Sequence, residues 1–198
     1  MTQPLWQPSE ERIRRANMTR FMEYVNREYG LALKDYPELY AWSIEKSPDF
    51  WSSMWKFGGV RASAPWQSVA RDLDKMPGAK WFEGARLNFA ENLLRYRDDR
   101  TAMVFRGEGR PPVRITYRQL YDRVARASSA LRSWGVRAGD RVAGYMPNRI
   151  ETVIGMLAAT SIGAIWSSCS PDFGIQGVLD RFGQIEPKVI LTANGYAY

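Results

Sequence analysis

Four positions late in the chain carry side chains that could touch a substrate: Cys169, Ser170, Asp172 and Arg181. A missing residue type sets their limits. The sequence contains no histidine, so it cannot by itself build a Ser-His-Asp triad or a histidine-ligated metal site. Cys169 is the one cysteine, which rules out an internal disulfide or a Cys-x-x-Cys site and suits a reducing cytosol. With no histidine in the chain to activate it, we expect a small buried residue there. Ser170-Pro171-Asp172 stands just ahead of a predicted helix, whose N-terminal dipole favours a phosphate. The carboxylate of Asp172 opposes a direct anion contact, so a cap and turn for that helix is the competing explanation. Arg181 could reach a phosphate from the following turns, although an exposed helical arginine is commonly solvated.

These residues are positioned by the stretch from Arg141 to Ala193, which predicts strand, helix, strand, helix, strand. Arg141 to Met146 is an apolar run closed by Pro147. Asn148 with Glu151 has the spacing of a helix-starting capping box. Ile150, Val153, Ile154, Leu157, Ala158 and Ile162 recur at helical spacing, and Gly163 suits a left-handed stop. Ala164 to Ser168 predicts a strand covered on both faces. Ile175, Val178, Leu179 and Phe182 form a second helical stripe ending at Pro187, before a strand over Lys188 to Ala193. Such alternation implies parallel strands joined by right-handed crossovers, hence the start of a doubly wound α/β sheet with flanking helices.

Upstream, an aromatic-rich helical region is predicted. Ser9 caps one helix with Ile13, Met18, Phe21, Met22, Val25 and Tyr29 on its apolar stripe, ended by Gly30. A second helix covers Pro37 to Glu45. A third begins at Ser47-Pro48 and presents Trp51, Met54 and Trp55. From Gly58 to Trp81 periodicity is lost, and an irregular layer pinned by Trp66, Trp81 and Phe82 is expected. Asn88 with Glu91 caps a short helix. Thr101 to Phe105 and Val113 to Ile115 predict a hairpin. Thr116 with Gln119 opens the longest helix, with Tyr117, Leu120, Tyr121, Val124, Ala127, Leu131 and Trp134 on its inner face. The boundary falls near residues 95–101, giving a region of residues 1–98 and a second of 99–198.

At 198 residues, 45% apolar and 13% aromatic, the chain is globular rather than disordered. Its net charge of +7 is mainly arginine, densest at Arg12, Arg14 and Arg15. That charge fits either a solvated surface or an anionic partner such as a nucleotide, coenzyme A or nucleic acid. No run of basic residues interleaved with stacking aromatics supports nucleic acid. No membrane-spanning run or export signal is seen, so a soluble cytoplasmic protein without a membrane partner is expected.

The turn after the first core strand, Met146-Pro147-Asn148-Arg149, holds no glycine for close approach of a dinucleotide, and no glycine-rich loop ending in Gly-Lys-Ser/Thr is present. Particular segments go further. Ile115-Thr116-Tyr117-Arg118-Gln119-Leu120, Trp134 to Ala143 and Ile162-Gly163-Ala164-Ile165-Trp166 resemble signatures of the adenylate-forming acyl-CoA synthetases. Phe50-Trp51, Pro65-Trp66 and Lys80 to Asn88 resemble the N-terminal extension shared by acetyl-CoA and acetoacetyl-CoA synthetases. Phe89 to Arg95 and Trp166 to Gly174 are similar to the acetoacetyl-CoA synthetase branch.

The resemblance covers nearly the whole chain and implies the N-terminal portion, roughly the first third, of an acid-thiol ligase. That family converts acetoacetate, ATP and coenzyme A, with Mg²⁺, to acetoacetyl-CoA through an acyl-adenylate. By position, Ser170, Pro171 and Asp172 match its coenzyme A-proximal loop. The phosphate loop and catalytic lysine lie beyond the matched segments, so no catalytic or metal residue is expected here, and the chain alone should be inactive. Acetyl-CoA synthetase and a non-catalytic nucleotide- or coenzyme A-binding module are the alternatives.

Overall fold

The computed structural model describes residues 5–195. The chain forms two compact units and passes from one to the other between Arg86 and Leu87.

The first unit is mainly helical. Ser9 accepts a hydrogen bond from the Arg12 amide to start α1 (Glu10–Arg15), but extended Ala16 separates it from α2 (Asn17–Tyr29). The single predicted helix is therefore two, and Ile13 and Met18, beside the break, are exposed instead of joining the buried stripe. Asp35 caps α3 (Tyr36–Glu45), and α4 spans Ser47–Gly58. Phe21, Val25, Leu39 and Trp42 make the core, with Phe50 packed against it. On α4 the structure corrects the predicted inner face: Ser52 and Ser53 are buried, while Trp51 and Met54 are exposed. The small serines let α4 approach its neighbours closely, and the Ser53 hydroxyl donates to the Tyr29 oxygen at 3.1 Å. The larger rings pair elsewhere, Trp51 edge-on to Trp81 and Trp55 over Phe82 at a centroid distance of 4.7 Å.

The stretch predicted to be irregular contains β1 (Ser68–Arg71) and β2 (Lys80–Glu83), paired antiparallel. At four residues each, these strands are too short for alternation to register in the sequence. Arg71 and Glu83 also pair across them at 2.8 Å.

In the second unit, Asn88 accepts from the Glu91 amide to cap α5 (Phe89–Leu93). The strands β3 (Thr101–Phe105) and β4 (Val113–Thr116) form the predicted antiparallel hairpin. Thr116 and Gln119 make a complete capping box at the head of α6 (Tyr117–Ser133). Leu120, Val124 and Leu131 are buried from that helix, but Trp134, one residue past its end, is exposed. Then come β5 (Arg141–Tyr145), α7 (Ile150–Ser161), β6 (Ile165–Cys169), α8 (Ile175–Ile185) and β7 (Val189–Thr192).

The last three strands are parallel, in the order β6-β5-β7. Successive side chains of β5 point to opposite faces. Val142 joins the core built by α6 and α7, whereas Ala143 packs with Cys169 and with Phe182 of α8. Helices thus cover both faces, as a doubly wound α/β fold requires. Cys169 is buried and unpaired, the small core residue expected.

Three local expectations are corrected. The α7 N-cap is Arg149, without a side-chain cap, because Thr152 instead donates to the Pro147 carbonyl at 2.7 Å and Glu151 pairs with Arg149. On α8, Val178, Phe182 and Ile185 face the sheet while Ile175 and Leu179 remain 81% and 60% exposed, so the helix is rotated from its predicted stripe. It ends at left-handed Glu186, one residue before Pro187, which disfavours helical geometry in the residue before it. Ile165 is likewise exposed, because β6 lies at the sheet edge rather than being covered on both faces.

Among the described residues, no helix is long and apolar enough to cross a membrane.

Candidate functional site

Three parallel strands place all their carboxyl ends on one edge of the sheet, so the loops after β5, β6 and β7 share that edge. The path runs from β5 through α7 to β6, then back across β5 through α8 to β7. Strand order therefore reverses between β5 and β7, the position where open α/β sheets leave a crevice for ligands. Met146, Arg149, Leu191, Thr192 and Asn194 line an open groove of about 620 Å³ there.

The Ser170-Pro171-Asp172 loop follows β6 and is held from both ends. The Ser170 hydroxyl donates to the Asp172 carboxylate at 2.6 Å, and the Ser170 carbonyl accepts from the Phe173 amide at 3.2 Å. From β5, the Tyr145 hydroxyl donates to the Pro171 carbonyl at 2.7 Å and lies 3.2 Å from the Phe173 carbonyl. Tyr145 escaped the sequence reading, because a tyrosine ending a strand looks like ordinary packing. Its phenol was the available signal, since a partly buried tyrosine hydroxyl usually finds a partner.

The α8 N-cap is Gly174, without a side-chain cap, so the loop's hydroxyl and carboxylate bond each other rather than the helix. Arg181 lies over the Phe173 ring at 4.0 Å, and its Nη1 donates to the Gly177 carbonyl. That packing ties its guanidinium to its own helix. The structure brings Ser170, Pro171 and Asp172 together with Tyr145 and Phe173.

A shifted carboxyl lies at the opposite sheet edge. The Arg137 amide and then Lys188 hold the Asp140 carboxyl below the usual carboxylate range, with bonds of 2.7 and 3.0 Å. Lys188 also donates to the Gly135 carbonyl, joining the amino ends of β5 and β7. This clamp positions strands. The chemistry-bearing loops lie at their other ends.

Residues 89–197 match the profile of the family described as AMP-binding enzyme. The chain belongs to the AMP-binding enzyme family. Residues 36–93 match a second profile, the acetyl-coenzyme A synthetase N-terminus. Within this family, the chain is 46% identical to the acetoacetyl-coenzyme A synthetase of Rhizobium meliloti (strain 1021) over 98% of its length and 30% of that protein. It is also 46% identical to the acetoacetyl-CoA synthetase of Xenopus tropicalis, covering 98% of this chain and 29% of that one. The solved acetoacetyl-CoA synthetase from Streptomyces lividans superposes with a TM-score of 0.92 at 43% identity, across 100% of this chain and 31% of that structure. The chain thus spans about 30% of the length of these relatives.

Proposed function

We propose that this AMP-binding family chain supplies the opening layers of an acetoacetate-CoA ligase. Such an enzyme activates the acetoacetate carboxylate with ATP, releasing diphosphate, and then transfers the acyl group from AMP to the coenzyme A thiol. Similarity to acetoacetyl-CoA synthetases over 98% of the chain is the observation that carries this proposal. Small-molecule substrates follow from it, as does a cytoplasmic location, which a single buried cysteine also suits. Between extension and AMP-binding portion we place the boundary at residues 98 and 99, between α5 and β3.

Ser170, Pro171 and Asp172 are assigned to approach coenzyme A. Tyr145 already occupies the Pro171 carbonyl, and the Asp172 carboxylate opposes phosphate, so the loop favours the neutral, amide-bearing arm over the nucleotide end. Mg²⁺ belongs to the proposed overall reaction. Among the described residues no three His, Cys, Asp or Glu side chains are grouped to hold it. These described residues do not fit a metal site.

ATP/pyrophosphate exchange by the gene product carrying this chain tests the reading, with acetoacetate compared against acetate and longer acids. Exchange dependent on acetoacetate is expected; exchange with acetate alone would overturn it. The 198-residue chain by itself should show none.

A further inference from the structure

A second concave feature lies away from the Ser170 loop. The hairpin tip after β3 and the turn after β5, distant in sequence, enclose a cavity of about 190 Å³. Phe105 and Pro147 supply apolar walls, while Arg106, Arg110 and Arg149 also line it, with Glu108 the single acidic residue among the lining. Glu151 pairs with the Nε of Arg149 at 3.3 Å, but among the described residues neither Arg106 nor Arg110 has a side-chain hydrogen bond or ion pair.

Like charges gathered in one concavity repel, and because Arg106 and Arg110 are exposed, solvent screens part of that repulsion. Some arginines elsewhere are matched, Arg71 with Glu83, Arg100 with Asp98, and Arg118 with Asp99, and others stand singly on the surface; here three share one concavity. An unmatched concentration of planar, multidentate donors suits the tetrahedral oxygens of a phosphate. One water needs roughly 10–15 Å³ of such space, so the cavity admits a phosphate or diphosphate group with some of its hydration.

We propose that this Arg106–Arg110–Arg149 cavity binds a phosphate or diphosphate group. The inference does not rest on the proposed ligase activity, and Ser170, Pro171 and Asp172 take no part in it. The bound group comes either from free diphosphate or from the phosphate end of a nucleotide, and the test separates these sources.

Backbone amide resonances of the 198-residue chain are followed while inorganic phosphate, pyrophosphate, AMP and coenzyme A are added separately. Saturable shifts at residues 105–110 and 147–149 are expected, with a Kd of about 1 mM or tighter for pyrophosphate. The footprint should weaken at high salt. The exposed double variant Arg106→Ala/Arg110→Ala should weaken binding at least about tenfold, whereas Arg132→Ala on α6 should leave it unchanged. Tighter binding of pyrophosphate than of AMP or coenzyme A assigns the cavity to free diphosphate, and the reverse order assigns it to a nucleotide. Both outcomes support the site. Shifts that fail to saturate, that persist undiminished in the double variant, or that spread evenly over outlying arginines would overturn it. The unaltered chain's footprint decides the matter even if the double variant folds poorly, and absent acetoacetate-dependent exchange would leave this result unaffected.

Discussion

The indole of Trp166 occupies the space where Gly144 lacks a side chain: a Cβ built there would stand 2.5 Å from the ring's Cζ2. The two residues face the same side of neighbouring parallel strands, with Trp166 opposite Val142 and Gly144 opposite Ser168. Gly155 of α7 closes on the same ring, since its added Cβ would meet the indole at 3.2 Å. Gly144→Ala should therefore destabilise the chain by about 1–3 kcal/mol, as overpacking does. That exceeds the roughly 0.4–1 kcal/mol gained by restricting the unfolded backbone. Denaturant unfolding of Gly144→Ala, Trp166→Leu and the double variant checks it. Removing the indole should make the glycine substitution cheaper, with coupling of about 0.5–3 kcal/mol. Strict additivity would show that the ring is not what excludes a side chain.

This close approach also marks the limit of what the sequence reveals. Strand and helix order from Arg141 onward was legible because buried parallel strands and their covering helices differ in apolar period. The capping pairs Thr116–Gln119 and Asn88–Glu91 were legible because their geometry is local. Asn148 looked equally local, yet Thr152 reaching Pro147 displaced it. The rotation of α8 and the inward turn of Ser52 and Ser53 depend on neighbouring elements, which no periodicity encodes. At the candidate site, Ser170 and Asp172 stood out by residue type. Tyr145 did not, because its partners lie 26 and 28 positions away.

Ser128 and Ser161 form the polar contact between α6 and α7. Their hydroxyl oxygens lie 2.9 Å apart, so one donates to the other, and the second proton goes to a backbone carbonyl, that of Val124 for Ser128 or of Ala158 for Ser161. Ser128→Ala removes one hydroxyl but leaves Ser161 its own acceptor, so a cost of about 0.5–1.5 kcal/mol is expected. Ser128→Leu puts a branched side chain into the same buried contact and should cost more, about 1–3 kcal/mol. Paired urea midpoints measure both; equal midpoints for the two variants would contradict close packing at this position.

Asp140 should contribute to acid sensitivity. Its carboxyl is held low by the Arg137 amide first and by Lys188 second, so the folded chain binds this proton less readily than the unfolded one. The resulting stabilisation is present above the unfolded pKa of about 3.9 and is lost as pH falls through the lower folded value. Asp98, held low mainly by its side-chain bond to Arg100, contributes with the same sign. Asp140→Asn should lower stability near neutral pH and flatten, without abolishing, the decline between about pH 5 and 2. Urea midpoints across that range provide the check, and an unchanged slope would show that the clamp does not link folding to pH.

The Tyr145 hydroxyl fixes the loop assigned to coenzyme A, and Tyr145→Phe removes that hydroxyl while keeping the ring in place. With no donor left for the Pro171 and Phe173 carbonyls, a global cost of about 0.5–1.5 kcal/mol is expected. The local effect should be larger in proportion. Amide hydrogen exchange should accelerate at Phe173, whose N–H closes the turn onto Ser170, while the α7 amides slow or quicken only with global stability. If the loop helps seat coenzyme A, the variant should also raise the KM for coenzyme A in the complete enzyme more than it lowers kcat, because a loosened loop must be ordered on binding. Unchanged exchange at Phe173 would mean that the loop holds its shape without the phenol, and Tyr145 would then be a packing residue only.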